Sequence, residues 1–330
     1  MPKITFLAGE GCLSSSITGL MDAFHIANMW QRAISGKSEP LFQSEIVTTD
    51  GRSVTCEGCI QIHAHKSIDH FDRTDFLMVP PFIPVTTPIT QDLDRILDFI
   101  VDQHHAHTTI AAMCTGVFLL AETGLLDKRT ATTNWQFAKM FRRRYPKVNL
   151  RTEHILTEDH GLICSGAATS IYNLSIFVIE RFGSEELAAL CSKALLVDPN
   201  RNSQAPYIVC HHRKDHGDTK IIGAQTYMEE NYEKNMTMDE IAKLAGLSPR
   251  HFKRRFKQAT GEPPLTYLQK IRIEAAKKRL ETTTDSINDI TWQIGYEDSS
   301  TFRRLFKKHT ELSPRRYRDK FFRAKTEQTA

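Results

Sequence analysis

No stretch of the 330 residues approaches the roughly 18 consecutive apolar residues of a membrane-crossing helix. The opening residues, MPKITFLAGEGC, lack both the basic n-region and the long apolar h-region of a secretion signal. The seven cysteines are an odd number, scattered from Cys12 to Cys210. With no export signal they are expected to be reduced thiols rather than a disulfide framework. A membrane partner is therefore not expected, and a cytoplasmic location is. The composition of a disordered chain is also missing, since 40% of the residues are hydrophobic and 25% charged. So is a large net charge, the balance being +4.

That small balance hides an asymmetry. Residues 1–216 hold 20 Lys and Arg against 23 Asp and Glu, whereas residues 217–330 hold 23 against 16. A slightly acidic first part is joined to a basic second part. The basic part alone points to a polyanion partner. At roughly 100–200 residues per domain, the length predicts two or three domains.

The first 200 residues alternate strand-like and helix-like segments. KITFLA (3–8), FQSEIVTT (42–49), DFLMVPP (75–81) and TTIAAMC (108–114) read as strands. HILTED (154–159) and GLICSG (161–166) read as strands around a turn. Between them, residues 15–30, 93–105, 116–123 and 167–182 carry helical spacing. The expectation is an α/β domain over residues 1–198, with a flavodoxin-like parallel sheet covered by helices. Residues 199–219 show no period and are expected to be a linker. Beyond it every apolar pattern is helical, with seven helices expected near 220–231, 237–245, 249–259, 263–281, 286–294, 299–309 and 313–321. This predicts an all-α domain over residues 220–321, followed by a tail over 322–330.

The basic part contains an internal repeat. IAKLAG (241–246) aligns with ITWQIG (290–295) at an offset of 49. Each glycine is followed by a polar turn and then F-x-x-x-F: Phe252/Phe256 and Phe302/Phe306. Thr260/Thr310, Pro264/Pro314 and Tyr267/Tyr317 continue the match. Each copy has helix-turn-helix character, with Ser248 and Pro249 starting one second helix and Asp298 or Ser299 capping the other. The phenylalanines face inward and the positions between them are basic. A helix anchored by aromatics on one side and studded with Arg and Lys on the other fits the major groove.

Residues 220–321 resemble the AraC/XylS family of bacterial transcription regulators, on the segments MTMDEIAKLAGLSPRHFKRRFKQATGEPPLTYLQKIRIEAAKKRL and INDITWQIGYEDSSTFRRLFKKHTELSPRRYR. The resemblance implies that both second helices enter successive major grooves of promoter DNA. Base contacts would fall to Arg250, Lys253 and Arg254, and to Ser299, Ser300, Thr301, Arg303 and Arg304. Lys257, Lys307 and Lys308 are better placed for phosphates. RNA polymerase and a second copy of the chain are implied partners, and activation is the family's usual mode.

In the first part, a small-residue strand runs into Cys114 and then directly into a helix. That pattern predicts a nucleophile elbow, with a helix N-terminus lowering the thiol pKa. The segments AAMCTGVFLLAETGLLDKRTATTNW (111–135), ICSGAATSIYNLSIFVIERFG (163–183) and RNSQAPY (201–207) resemble the class-I glutamine-amidotransferase-like superfamily. The isocyanide hydratase branch and the GlxA-type regulators are the nearer likeness, and the latter join this domain to an AraC-type one. Enzymes of the superfamily carry a His where Asn134 stands, and an acid where Ser16 stands. Neither an amide nor a hydroxyl serves as a general base near neutral pH. No catalysis is therefore expected. A sensing pocket is expected instead, at the C-terminal ends of the strands. Its expected lining is Ser15, Ser16, Pro81, Phe82, Cys114, Thr115, Thr133, Asn134 and Trp135. The set holds no fixed charge, which suits a small polar or cationic effector, such as an amino acid or amine, better than a phosphate.

Other features have blander accounts. Cys56-Glu-Gly-Cys59 is a lone C-x-x-C without the second pair of a zinc finger. His63/His65, His104/His105/His107 and His211/His212 have no accompanying ligand framework and are expected at the surface. Neither a metal nor any other cofactor is expected. Trp30 and Trp292 are expected in the core. The expectation is a transcription regulator responding to a small metabolite. The rival readings are a DNA-tethered cysteine hydratase or amidohydrolase, and a thiol redox regulator using Cys114 or the Cys56/Cys59 pair.

Overall fold

The computed structural model of the chain describes residues 1–36, 38–82, 92–210 and 214–323. His211, His212 and the tail beyond residue 323 lie outside the described residues. The chain separates into two compact units, Met1–Gln204 and Ala205–Ala330.

The first unit alternates strands and helices, though the apolar pattern does not predict the elements at Lys66–Ser67 and Glu185–Ala194. In order come β1 (Lys3–Leu7), α1 (Ser14–Ser35), β2 (Gln43–Thr48), β3 (Lys66–Ser67) and β4 (Phe76–Val79). Then come α2 (Leu93–His105), β5 (Thr109–Met113), α3 (Gly116–Glu122) and α4 (Ala138–Arg144). The unit closes with β6 (Leu156–Asp159), β7 (Leu162–Ser165), α5 (Ser170–Phe182) and α6 (Glu185–Ala194). One seven-stranded sheet has the order β6-β7-β5-β4-β1-β2-β3. Only the edge strand β6 is antiparallel within it. Without the two edges, the strands lie in the order second, first, third, fourth, fifth, the flavodoxin-like arrangement.

Alternate residues of each strand serve opposite layers. Ile4, Phe6, Phe76, Met78, Ala111 and Met113 pack with α1, α5 and α6. Leu7, Leu77, Val79, Ile110 and Ala112 pack with α2, α3 and α4. Strands buried on both faces read as continuous apolar runs, which is why β4 and β5 stood out in the sequence. The strand order reverses between β1 and β4. In open α/β sheets, the crevice beyond the strand ends at such a reversal is where ligands bind. Here β1 leads into Gly9–Leu13, β4 into Pro80–Phe82, and the adjoining β5 into Cys114.

The segment expected as a linker is largely tied down. Ile155 N–H donates to Asn202 O at 3.1 Å and Gln204 N–H to Glu153 O at 2.7 Å, so residues up to 204 belong to the first unit. In the second unit, the Tyr207 ring meets Phe321 edge-on at 5.3 Å. These ties lack sequence period because each is a single contact to a distant segment.

The second unit holds α7 (Thr219–Glu230), α8 (Met238–Leu244), α9 (Pro249–Thr260), α10 (Pro264–Thr282), α11 (Ile287–Gln293), α12 (Ser299–Thr310) and α13 (Pro314–Phe321). They form two cores, with Tyr232 packed against both. One gathers Ile221, Met228, Ile241, Phe252, Phe256, Tyr267 and Ile271. The other gathers Ile273, Leu280, Ile290, Phe302, Phe306 and Tyr317. The long helix α10 contributes its first half to one and its second half to the other. Trp292, expected in the core, is 62% exposed, because the buried face of α11 is already filled by Ile290 and Thr291. Trp30 is also exposed, on the last turns of α1.

Candidate effector site and nucleic-acid interface

Cys114 sits between β5 and α3 with φ 53°, the left-handed region that a non-glycine residue seldom occupies. Its N–H prolongs the β5–β7 ladder by donating to Ser165 O at 2.8 Å. Gly116, two residues on, lets α3 press against the end of β4. A Cβ there would lie 2.4 Å from Pro80 O. The elbow expected from the sequence is thus built from a strained cysteine and a glycine that cannot be enlarged.

The hydrogen bonds around the elbow connect three of the expected lining segments. Thr115 Oγ1 donates to Phe82 O at 2.8 Å and accepts from Phe82 N–H at 3.0 Å. Leu13 N–H donates to Pro81 O at 3.0 Å, and Cys12 forms a backbone bridge with Phe82. Thr133 Oγ1 donates to Cys114 O at 2.5 Å, and Asn134 Nδ2 lies 3.6 Å from Cys114 Sγ. Asn134 Oδ1 meanwhile accepts from Gln136 N–H, which fixes the amide's orientation. Ser16 is fully buried and its hydroxyl turns back to Leu13 O at 2.6 Å. Ser15 is exposed on the first turn of α1, and Trp135 is half-buried.

The thiol departs from one expectation. Its pKa is raised, not lowered. Burial is the leading cause, and it outweighs the opposing hydrogen bonds from Asn134 and the Thr115 backbone. The expected helix effect does not overcome the loss of water around Sγ.

Gln204 was not anticipated as part of this region. It is buried, and its amide nitrogen lies within hydrogen-bond distance of Thr133 O (3.1 Å), Thr152 O (3.2 Å) and His154 O (2.9 Å). Thr133 is thus held from two sides, by Cys114 O and by Gln204. Gly166 makes room for this side chain, since a Cβ there would meet the Gln204 amide at 2.4 Å. The only signal in the sequence was the RNSQAPY segment within the family resemblance.

Cys56 also has an unexpected neighbour. Its Sγ lies 3.4 Å from that of Cys12, whereas Cys59 is exposed at a φ of 61°. The C-x-x-C spacing therefore misidentified the partner. Among the described residues, no group of three or more His, Cys, Asp and Glu side chains is placed to hold a metal ion.

In the second unit the two copies match in detail. Phe252–Phe256 and Phe302–Phe306 are both 5.5 Å apart, and Phe256–Tyr267 and Phe306–Tyr317 both 5.3 Å. Tyr267 donates to Glu229 and Tyr317 to Glu281, each at 2.6 Å. Ser248 caps α9 by accepting from His251 N–H, with Pro249 at the first helical position. Asp298 caps α12, accepting from the N–H groups of Ser300 and Thr301.

These caps and cores leave one face of each second helix in water. Arg250, Lys253, Arg254 and Lys257 are exposed on α9 and its first turn. Ser300, Arg303, Arg304, Lys307 and Lys308 are exposed on α12, with Ser299 and Thr301 partly so. The Ser300 hydroxyl is engaged with Asp298 at 2.6 Å. Arg255 faces differently and pairs with Asp218 at 2.5 Å. Beside α9 lies a cleft of about 490 Å³ lined by His216, Asp218, His251, Arg254, Arg255 and Gln258.

The fold and these two regions define a two-part protein, a doubly wound α/β unit with an elbow cysteine and a unit with a duplicated helix-turn-helix. Residues 2–181 match the DJ-1/PfpI family and residues 241–320 a helix-turn-helix domain. The first match spans more than half the chain, so the chain belongs to the DJ-1/PfpI family. It is 24% identical over 314 residues to the HTH-type transcriptional regulator GbdR of Pseudomonas aeruginosa, covering 95% of this chain and 83% of that one. It is 26% identical over 214 residues to the HTH-type transcriptional regulator GlxA of Rhizobium meliloti, covering 62% and 63%. A solved structure from Vibrio parahaemolyticus, assigned to the transcriptional regulators, superimposes with a TM-score of 0.51 at 23% identity. It covers 59% of this chain and 98% of that one. No helix among the described residues is long and apolar enough to cross a membrane.

Proposed function

We propose that the chain is a transcription regulator in which the DJ-1/PfpI unit senses a small effector and the helix-turn-helix unit binds promoter DNA. The observation that carries this is the duplicated reading helix. Two helices with matching aromatic anchors and caps each expose a row of Arg and Lys. In our reading α9 and α12 enter successive major grooves. Arg250, Lys253, Arg254, Ser299, Thr301, Arg303 and Arg304 face base edges, and Lys257, Lys307 and Lys308 face phosphates. Ser300 is the weaker of these candidates, because its hydroxyl already serves Asp298.

The effector site is proposed around Cys114, Thr115, Phe82, Pro81, Thr133, Asn134 and Trp135, with Ser15 at the rim and Ser16 beneath it. These side chains are neutral, which favours a small polar or cationic metabolite. We infer that the site does not turn its ligand over. The group beside Sγ is the Asn134 amide, which cannot take a proton near neutral pH, and burial keeps the thiol protonated. A homodimer acting on RNA polymerase in the cytoplasm completes the proposal.

The test selects a binding duplex from random sequence with the full-length protein. Arg254→Ala and Arg304→Ala should each weaken binding to the selected duplex by about 1–3 kcal/mol and relax preference within one half-site. Lys257→Ala should weaken all duplexes alike and reduce the salt dependence by about one unit of slope. Unchanged specific affinity in both Arg variants would remove the groove assignment.

A further inference from the structure

The Cys12 and Cys56 thiols lie 44 residues apart in sequence, yet their sulfurs are 3.4 Å apart. Backbone hydrogen bonds fix both turns against each other. Gly11 N–H donates to Thr55 O at 2.9 Å and Glu57 N–H to Cys12 O at 3.0 Å across the two turns, and Cys56 N–H donates to Ile60 O at 2.8 Å within the second. Each sulfur is therefore held beside the other before any chemistry occurs. We propose that Cys12 and Cys56 are a redox modification site that closes to a reversible disulfide, stapling the turn before α1 to the loop after β2. The sulfurs need approach by only a little over 1 Å to reach a disulfide length of about 2.05 Å.

With hydrogen peroxide as oxidant the step balances. One thiol attacks an oxygen of the peroxide, breaking the O–O bond, and becomes a sulfenic acid as the first water leaves. The second thiol attacks that sulfur, forming the S–S bond and releasing the second water. Two electrons pass from sulfur to oxygen, and both thiol hydrogens end in water.

The surroundings set the tempo and the consequence. Both side chains are buried, and burial pushes the Cys12 thiol up to about 12, so oxidation is slow relative to an exposed thiol such as Cys59. The same burial shields the finished bond from reductants. Cys12 is bridged to Phe82, and Phe82 to Thr115, so the staple tightens the turn on which the Cys114 elbow leans. The proposal stands whether or not an effector binds at that elbow.

The full-length protein is treated with hydrogen peroxide, its free thiols are alkylated under denaturant, and its peptides are mapped by mass. The expected product is one cross-linked pair containing Cys12 and Cys56, lighter by two hydrogens and released by dithiothreitol. Cys59→Ser should form it as the parent does. Oxidation should raise Tm by several degrees in the parent and leave Cys12→Ser unchanged. Alkyl label on both Cys12 and Cys56 after peroxide would overturn the proposal, as would a bond joining Cys56 to Cys59.

Discussion

Cys114 shows how two local demands are met at the cost of reactivity. Its positive φ turns the chain sharply out of β5, and its burial seals the sulfur from water. A sealed thiol ionises late, so a thiol-specific alkylating reagent should label Cys114 slowly at neutral pH. The rate should keep climbing past the range where an ordinary thiol has levelled off. Asn134→Ala removes a hydrogen bond that lowers the pKa, so the climb should move to still higher pH. Peptide mapping after timed alkylation checks both statements, and rapid labelling at neutral pH would contradict them. The elbow was legible because small residues before a cysteine, followed at once by a helix, leave few other backbone paths. The cost of burial was not legible. It depends on which side chains close over Sγ, and Asn134 arrives there from 20 residues away.

The elements divide along the same line. Helices α7 to α13 of the second unit could be read in advance, since caps such as Ser248 and Asp298 and repeated aromatics are local signals. Six of the seven sheet strands were equally plain, but the two-residue edge strand β3 is too short to show a pattern. What periodicity could not supply was the end of the first unit, where Gln204 crosses from one irregular segment to three carbonyls on others. Gln204→Ala removes the side-chain donor of Thr133 O and Thr152 O, while His154 O keeps the Thr132 hydroxyl, and should cost about 1–3 kcal/mol in denaturant unfolding. Gly166→Ala should be destabilising in the parent, where the new methyl meets the Gln204 amide, and far milder when combined with Gln204→Ala. Equal costs in both backgrounds would mean that the glycine is there for another reason. Cys12 and Cys56 teach the same lesson. The spacing suggested Cys56 with Cys59, but the pair was set by the folding of β1 and β2 side by side.

Across the whole chain, many buried acids share one direction. Burial pushes Cys12 and Cys164 up to about 12 and Cys191 and Cys210 up to about 11, and it raises Tyr145, Tyr267 and Tyr317 as well. Above about pH 9 the unfolded chain gives up these protons before the folded one does. The stability they contribute is thus complete below that pH and drains away as pH rises through the folded values. The denaturant midpoint should therefore fall steadily from about pH 9 to 11, and a flat profile would show that these groups are not sealed in solution. The second unit adds a different consequence. Its two cores are joined by α10 and by Tyr232, which packs against both, and each carries its own basic helix, cap and Tyr–Glu latch. Surface substitutions on one of the two basic helices leave the buried phenylalanines under its twin in place. If α9 and α12 read bases as proposed, such a protein can be re-lettered one groove at a time, keeping a foothold on half of its old operator while the other half drifts to a new one.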